Sequence, residues 1–180
     1  MINNDMDQNQ LQSKRVETSY HEAGHAVIAS AVGLKVDEVS ITPLDCSFGR
    51  CVVAEVSVVE NIHRLLQAAY DFAAFLVAGR LAQEKYLDSI GAKLNVAALD
   101  HDCSDDYNEI IAINTRIRNN GDEYKVCLSK VSARVQNLLA SPEMWELIQQ
   151  ISDALLIENK MNSERITSFL TPVYKRYYQP

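Results

Sequence analysis

Two histidines and a glutamate stand close together in the segment from Tyr20 to Ala26. His21, Glu22 and His25 form an HExxH pattern. Residues four apart lie one turn apart on one helical face, so both imidazoles could bind a single ion. The spacing suits zinc, whose catalytic sites take three protein ligands and leave one position for water. Glu22 would then accept a proton from that water as a general base and pass it to a leaving amine.

The same residues have a purely structural interpretation. Ser19 and Glu22 have the spacing of a capping box, which would place a helix start at Ser19. The histidines would then be ordinary core or surface residues. A capping box explains Glu22 and neither histidine, so the metal-site interpretation is favoured.

A third ligand has to come from elsewhere, because the sequence after His25 lacks the histidine that extends HExxH in some metallopeptidases. Asp102, Asp105 and Asp106 form an acidic cluster in which Ser104 could cap a helix. Acids at a helix start are also favoured by the helix dipole, whatever their function. The cluster therefore supplies candidates without selecting one.

Three further side chains have suitable chemistry. Glu84 lies on a predicted long helix, where a surface ion pair is its structural alternative. His101 and Cys103 stand within the acidic cluster, but nothing in their spacing selects them. The four cysteines show no CxxC pairing, and no disulfide is predicted.

The elements that must position these residues are mostly helices. The segments from Val36 to Thr42 and from Arg50 to Val58 are rich in β-branched residues, and a loop with Pro, Asp and Gly separates them. They are predicted as neighbouring antiparallel strands. Apolar residues then recur at intervals of three and four, which predicts a long helix from about Glu60 to Leu87.

Shorter apolar stripes predict further helices towards the C-terminus. Ser141 and Pro142 are typical of a helix start, and a last helix should begin near Ser163 and end before Pro172. The predicted fold class is mainly α: a helical domain with a small β-sheet or hairpin. This domain covers residues 16–180 and follows a polar flexible tail over residues 1–15.

Composition narrows the possible partners. The chain has 180 residues, with 17 basic and 24 acidic side chains and a formal charge of −7. This balance argues against duplex nucleic-acid binding, which depends on basic side chains. No segment approaches the roughly 18 apolar residues of a membrane span, and the N-terminus lacks the apolar stretch of a signal peptide. We therefore expect a cytoplasmic protein without membrane insertion.

Three stretches together resemble the FtsH-type (M41) zinc metallopeptidases, in the order of that family. YHEAGHAVIA, from Tyr20 to Ala29, is similar to its zinc helix. VAGRLAQEKYL, which begins at Val77, resembles its GGR-A-EE segment, and CSDDYNEI, which begins at Cys103, resembles its ASNDL-type segment. With the closing helices, the resemblance extends from Val16 to about residue 170. It implies that the helical domain is a zincin-like peptidase domain.

The resemblance implies roles for individual residues. His21 and His25 match the ligand histidines of the family, Glu22 its catalytic glutamate, and Asp106 the aspartate that completes the site. Glu84 matches an acid of the second segment and is a reserve ligand or a partner of the ligands. The departures are Asp102 and Cys103 in place of Gly-Ala, Asp105 in place of Asn, and Pro43-Leu44-Asp45 in place of Pro-Arg-Gly. Asp105 therefore remains an alternative ligand, one position away.

The resemblance also implies an activity. Family members usually carry a membrane anchor and an ATP-driven unfoldase, and this sequence contains neither a membrane span nor a GxxxxGK[ST] phosphate loop. We expect a stand-alone zinc-dependent endopeptidase for unfolded polypeptides or peptides. It would act alone, as a homo-oligomer, or with a separate ATPase. The substrate would lie along an exposed strand edge, for which the segment from Val36 to Thr42 is the candidate. The alternative is a non-catalytic metal-binding or assembly subunit.

Overall fold

The computed structural model describes residues 7–43, 48–54, 62–119 and 125–177. Over these residues the chain is mainly helical with one small antiparallel sheet, which confirms the prediction of a mainly α domain with a small β-sheet. In chain order the elements are α1 Gln8–Ala31, β1 Val36–Ser40, β2 Arg50–Val53, α2 Ile62–Ser89, α3 Val96–Asp102, α4 Ser104–Asn119, α5 Leu128–Leu139, α6 Pro142–Glu158, β3 Lys160–Asn162 and α7 Ser163–Tyr177.

The helix α1 is the centre of the fold. It is buried continuously from His21 to Ala31 and packs against α2, α6, α7 and the sheet. Small side chains allow α1 and α2 to approach closely: a Cβ at Gly24 would lie 2.5 Å from Ala82 Cβ and 2.8 Å from the Ala78 carbonyl oxygen. This close approach places the HExxH segment of α1 against the middle of α2.

The sheet has the order β2-β1-β3, with both neighbours antiparallel to β1. Val39 of β1 pairs with Cys51 on one side and with Met161 on the other. The prediction of Val36 to Thr42 as an exposed edge was therefore wrong. It failed because β3 is a three-residue strand between α6 and α7, too short to produce a recognisable pattern. In the described part of the chain β2 and β3 each pair only with β1, so both are edge strands, and β2 is the longer of the two.

Two predicted boundaries also differ from the structure. The segment predicted as a flexible tail is helical from Gln8 onward, because Asp7 and Gln10 form a capping box there. The last helix continues past Pro172 to Tyr177, since a proline removes one backbone hydrogen bond without always ending a helix. The predicted strand end at residues 55–58 lies outside the described residues. Within those residues, no helix has both the length and the apolar character needed to cross a bilayer.

Candidate metal centre

Three donor atoms from two separate helices meet against the middle of α2. The Nε2 atoms of His21 and His25 on α1 are 2.9 Å apart. The Oδ2 atom of Asp106, in the first turn of α4, lies 3.5 Å from His21 Nε2 and 3.4 Å from His25 Nε2. Both histidines are buried. The arrangement joins the HExxH motif to one aspartate of the acidic cluster.

Neighbouring acceptors fix the orientation of both imidazoles. His25 Nδ1 lies 2.7 Å from the Phe75 carbonyl oxygen, to which it donates a hydrogen bond. His21 Nδ1 lies 3.3 Å from Gln83 Oε1, and the amide nitrogen of Gln83 donates in turn to Glu17. Each Nε2 then presents a lone pair. Two lone pairs and a carboxylate face one another, so a proton or a metal ion between them is favourable.

In the absence of metal, protons take this role. Burial by itself lowers the pKa of His25, but the charge and hydrogen bond of Asp106 outweigh burial and raise this pKa from 6.5 to about 9. For Asp106, burial acts to raise the pKa, and the two histidines overcome it and hold the pKa below its usual value. The centre therefore favours an ionised Asp106 carboxylate beside a protonated His25 imidazole.

Glu22 is buried beside this group, and its Oε2 atom has no hydrogen-bond partner among the described residues. Burial raises the pKa of this carboxyl group, and the charge of Asp106 adds to the effect, although the two histidines oppose it. The capping-box interpretation fails, because α1 begins at Gln8 and the Ser19 hydroxyl donates within the helix to the Val16 carbonyl oxygen. A buried carboxylate oxygen without a partner is costly unless it binds a proton, water or ligand.

Gly79 on α2 provides the space that the two imidazoles occupy. A Cβ at this position would lie 2.3 Å from His25 Nε2 and 2.5 Å from His21 Nε2, far inside van der Waals contact. Any larger residue would push the rings away from each other or from Asp106. Gly79 belongs to the VAGR segment, but its contact with both histidines could not be derived from the sequence.

Cys103 forms a second possible donor group around His21. This group consists of His21, Cys103 and Asp106, each with one ligand atom within 4.8 Å of the other two. It could hold a metal ion. The Cys103 sulfur is 4.0 Å from His21 Nδ1. His25 and Asp106 lie on the other side of the same ring, 2.9 Å and 3.5 Å from His21 Nε2. One ion cannot bind both nitrogens of a single imidazole, since their lone pairs diverge. The shorter distances favour the Nε2 group.

The remaining predicted ligands are placed differently. Asp105 is exposed in the first turn of α4. Glu84 accepts a hydrogen bond from Arg80 at 2.7 Å, which is the ion pair anticipated as its structural alternative. The side chains of His101 and Asp102 lie outside the described residues. The structure thus brings Asp106, and neither Asp105 nor Glu84, into contact with both histidines.

Arg80 also connects the helices that carry the site. It forms ion pairs with Glu84 on its own helix and with Asp100 on α3. Its guanidinium lies 5.7 Å from the ring centroid of Tyr107, the residue after Asp106. These contacts fix the start of α4 relative to α2, and therefore help to hold Asp106 in place.

The strand β2 lies beside the site. The pKa of the Cys51 thiol on β2 is raised well above its usual value by burial and by the nearby charges of Glu22 and Asp106. At Gly49, just before β2, a Cβ would lie 2.6 Å from Glu22 Oε1. The edge strand β2 is thus adjacent to the carboxylates of Glu22 and Asp106.

Comparison of the sequence with protein-family models and with curated proteins found no match in either. The fold and the site by themselves define a mainly helical domain in which histidine and acidic side chains, with a neighbouring cysteine, could hold a metal ion. Beside this group lies a buried carboxylate with an unpartnered oxygen.

Proposed function

We propose that the protein is a zinc-dependent endopeptidase of the FtsH type that hydrolyses unfolded polypeptides. The observation that carries this proposal is the meeting of His21, His25 and Asp106 beside the buried Glu22 carboxylate. Two imidazole nitrogens and one carboxylate are a common ligand set of catalytic zinc. The resemblance of the three sequence stretches to the FtsH-type metallopeptidases supports the same conclusion.

In this proposal His21, His25 and Asp106 hold zinc, and the unpartnered oxygen of Glu22 fits a general base beside it. Bound zinc would supply a Lewis acid that polarises a carbonyl group and lowers the pKa of water to about 7. Glu22 would accept the proton of the attacking water and return it to the leaving amine. Its burial and raised pKa suit a group that must both take and give a proton.

The polypeptide would add as a strand to the open edge of β2. Backbone N–H and C=O groups on such an edge can pair with an extended peptide. Cys51 on this strand is close enough to Glu22 and Asp106 for their charges to affect its pKa, so a peptide along β2 would pass the catalytic centre. This replaces the segment from Val36 to Thr42, which lies between two strands.

The proposed chemistry is tested by Glu22→Gln. Wild type should cleave an unfolded protein such as casein without ATP, and Glu22→Gln should bind the same amount of zinc but lose cleavage. Glu109→Gln is the matched control, because Glu109 is exposed on α4 and the charge change is identical. Equal cleavage by wild type and Glu22→Gln would refute the role of Glu22.

A non-catalytic metal-binding or assembly subunit is the alternative. Zinc-loaded wild type that cleaves no unfolded substrate, at any protein concentration, would favour it.

The variants Cys103→Ser and His25→Ala distinguish the two donor groups around His21. In the proposed site, Cys103→Ser keeps its zinc and His25→Ala loses it; the opposite result would assign the metal to the group with Cys103. Partnership with itself or with a separate ATPase is part of the proposal and is tested by adding an unfoldase to the assay.

A further inference from the structure

A cavity of about 410 Å³ lies on the same side of α1 as Glu22. Leu11, Arg15 and Thr18 line it, and they precede Glu22 by eleven, seven and four residues, which places all four on one helical face. The residues that follow β1, Phe48 before β2 and Asn159 after α6 form its other walls. The volume is in the usual range for ligand-binding pockets.

The cavity combines an apolar wall with one cationic group. Ile41, Pro43 and Phe48 supply apolar surface together with Leu11. The half-buried Arg15 supplies a positive charge.

The guanidinium of Arg15 is held by neutral acceptors. One nitrogen, Nη2, donates to the Leu156 carbonyl oxygen at 2.8 Å and to Asn159 Oδ1 at 2.5 Å. Among the described residues, no carboxylate forms an ion pair with Arg15, although this chain carries an excess of acidic side chains. A partly buried guanidinium that is positioned but has no counter-charge among these residues is suited to a carboxylate ligand. Because Leu156 and Asn159 use both hydrogens of Nη2, the carboxylate would accept a hydrogen bond from Nη1 or Nε.

The cavity is adjacent to the proposed active site. At Gly49, between the Phe48 wall and β2, a Cβ would lie 2.6 Å from Glu22 Oε1 and 2.7 Å from Thr18 Cγ2. Arg15 lies about 10 Å from Glu22 along the helix axis, at roughly 1.5 Å per residue. An extended peptide covers this distance in about three residues.

We propose that this cavity binds a carboxylate of the polypeptide substrate, together with an adjacent apolar side chain, about three residues from the bond that is cleaved. The inference rests on the proposed peptidase function, because the peptide on β2 is what reaches the cavity. The carboxylate comes either from an acidic side chain or from the free C-terminus of the peptide. Arg15 is the specificity-determining residue in both cases.

The test measures binding of short fluorescent peptides to full-length, zinc-loaded Glu22→Gln, in which bound peptide stays intact. One pair of unstructured, leucine-containing peptides differs by Glu against Gln at one internal position, and a second pair by a free against an amidated C-terminus. In at least one pair the carboxylate form should bind about tenfold more tightly, and the pair that shows it identifies the source. Equal binding within both pairs, or no binding of any peptide, would overturn the proposal.

Arg15→Gln in the same background should abolish this preference. Arg118→Gln, an exposed residue in the last turn of α4, changes the charge equally and should keep it. A preference that persists in Arg15→Gln would contradict the assignment. Arg15 also contacts the end of α6, so its replacement could disturb the fold, and Leu11→Trp is used as a second variant. Its larger side chain fills the cavity from a half-exposed position and should weaken the binding of every peptide. Cleavage by wild type without a carboxylate preference would refute only the cavity, and a preference without cleavage only the peptidase function.

Discussion

Gly79→Ala adds one methyl group where α2 comes closest to the two histidines. The new Cβ would lie 2.3 Å from His25 Nε2 and 2.5 Å from His21 Nε2, whereas ordinary contacts begin at 3.4 Å. The imidazoles must therefore move by about 1 Å in this variant. His25 cannot move without losing its hydrogen bond to the Phe75 carbonyl oxygen.

The expected effect on zinc binding is large. Metal–ligand distances are held to within roughly 0.2 Å, so a displacement of about 1 Å removes a ligand from the ion. Changes that only disturb the orientation of a ligand already cost about 10-fold to 100-fold in metal affinity. Gly79→Ala should therefore weaken zinc binding by at least about 100-fold, or about 2.7 kcal/mol.

The assay is a zinc titration against a chelating indicator, with circular dichroism to confirm that the variant is folded. Gly91→Ala is the matched control. Gly91 has a φ of +66°, and a Cβ there would touch no atom within 4 Å. This control should lose about 1 kcal/mol of stability through backbone strain and retain its zinc affinity. A folded Gly79→Ala that binds zinc as tightly as wild type would refute the proposed position of the metal.

Three further predictions concern stability and reactivity. Gly24→Ala should lower the free energy of unfolding in urea by about 1–3 kcal/mol, since its Cβ would lie 2.8 Å from a backbone oxygen of α2; an unchanged midpoint would contradict the close helix packing. In metal-free protein the pKa of His25 is raised to about 9, so protonation of His25 stabilises the fold. This contribution is complete below 6.5, the pKa in the unfolded chain, and is lost as the pH rises through 9. The melting temperature should therefore fall as the pH rises through 9. Asp106→Asn should remove this decrease in melting temperature. An equal decrease in the variant would contradict the pairing of His25 with Asp106. Iodoacetamide at pH 8 should modify Cys127 before Cys51. A hydrogen bond from a neighbouring serine lowers the pKa of Cys127, whereas burial raises the pKa of Cys51. Peptide mass spectrometry that finds the reverse order would contradict this prediction.

The local parts of the site could be predicted from the sequence. The i, i+4 spacing of His21 and His25 places them on one helical face whatever surrounds them, and Ser104 with two following acids indicated a helix start. Both features depend on residues a few positions apart. The resemblance to a known family then favoured Asp106 over Asp105, and only Asp106 contacts both histidines.

The long-range parts could not be predicted. Gln83 and Phe75 orient the histidines from α2, 62 and 50 residues away in the sequence, and no local pattern indicates such contacts. The three-residue strand β3 was too short to recognise, so the central position of β1 was missed. The cavity at Arg15 was missed for a related reason, because its walls come from α1, the β1 end and the α6 end.

The most direct test of the proposed centre is elemental analysis of protein expressed with excess zinc. Wild type should contain one zinc per chain, Asp105→Asn should contain the same amount, and Asp106→Asn should contain little or none after dialysis. The two variants differ by one position in the same helical turn and by the same change in charge. Full zinc content in Asp106→Asn, or no tightly bound zinc in wild type, would contradict a centre built from His21, His25 and Asp106.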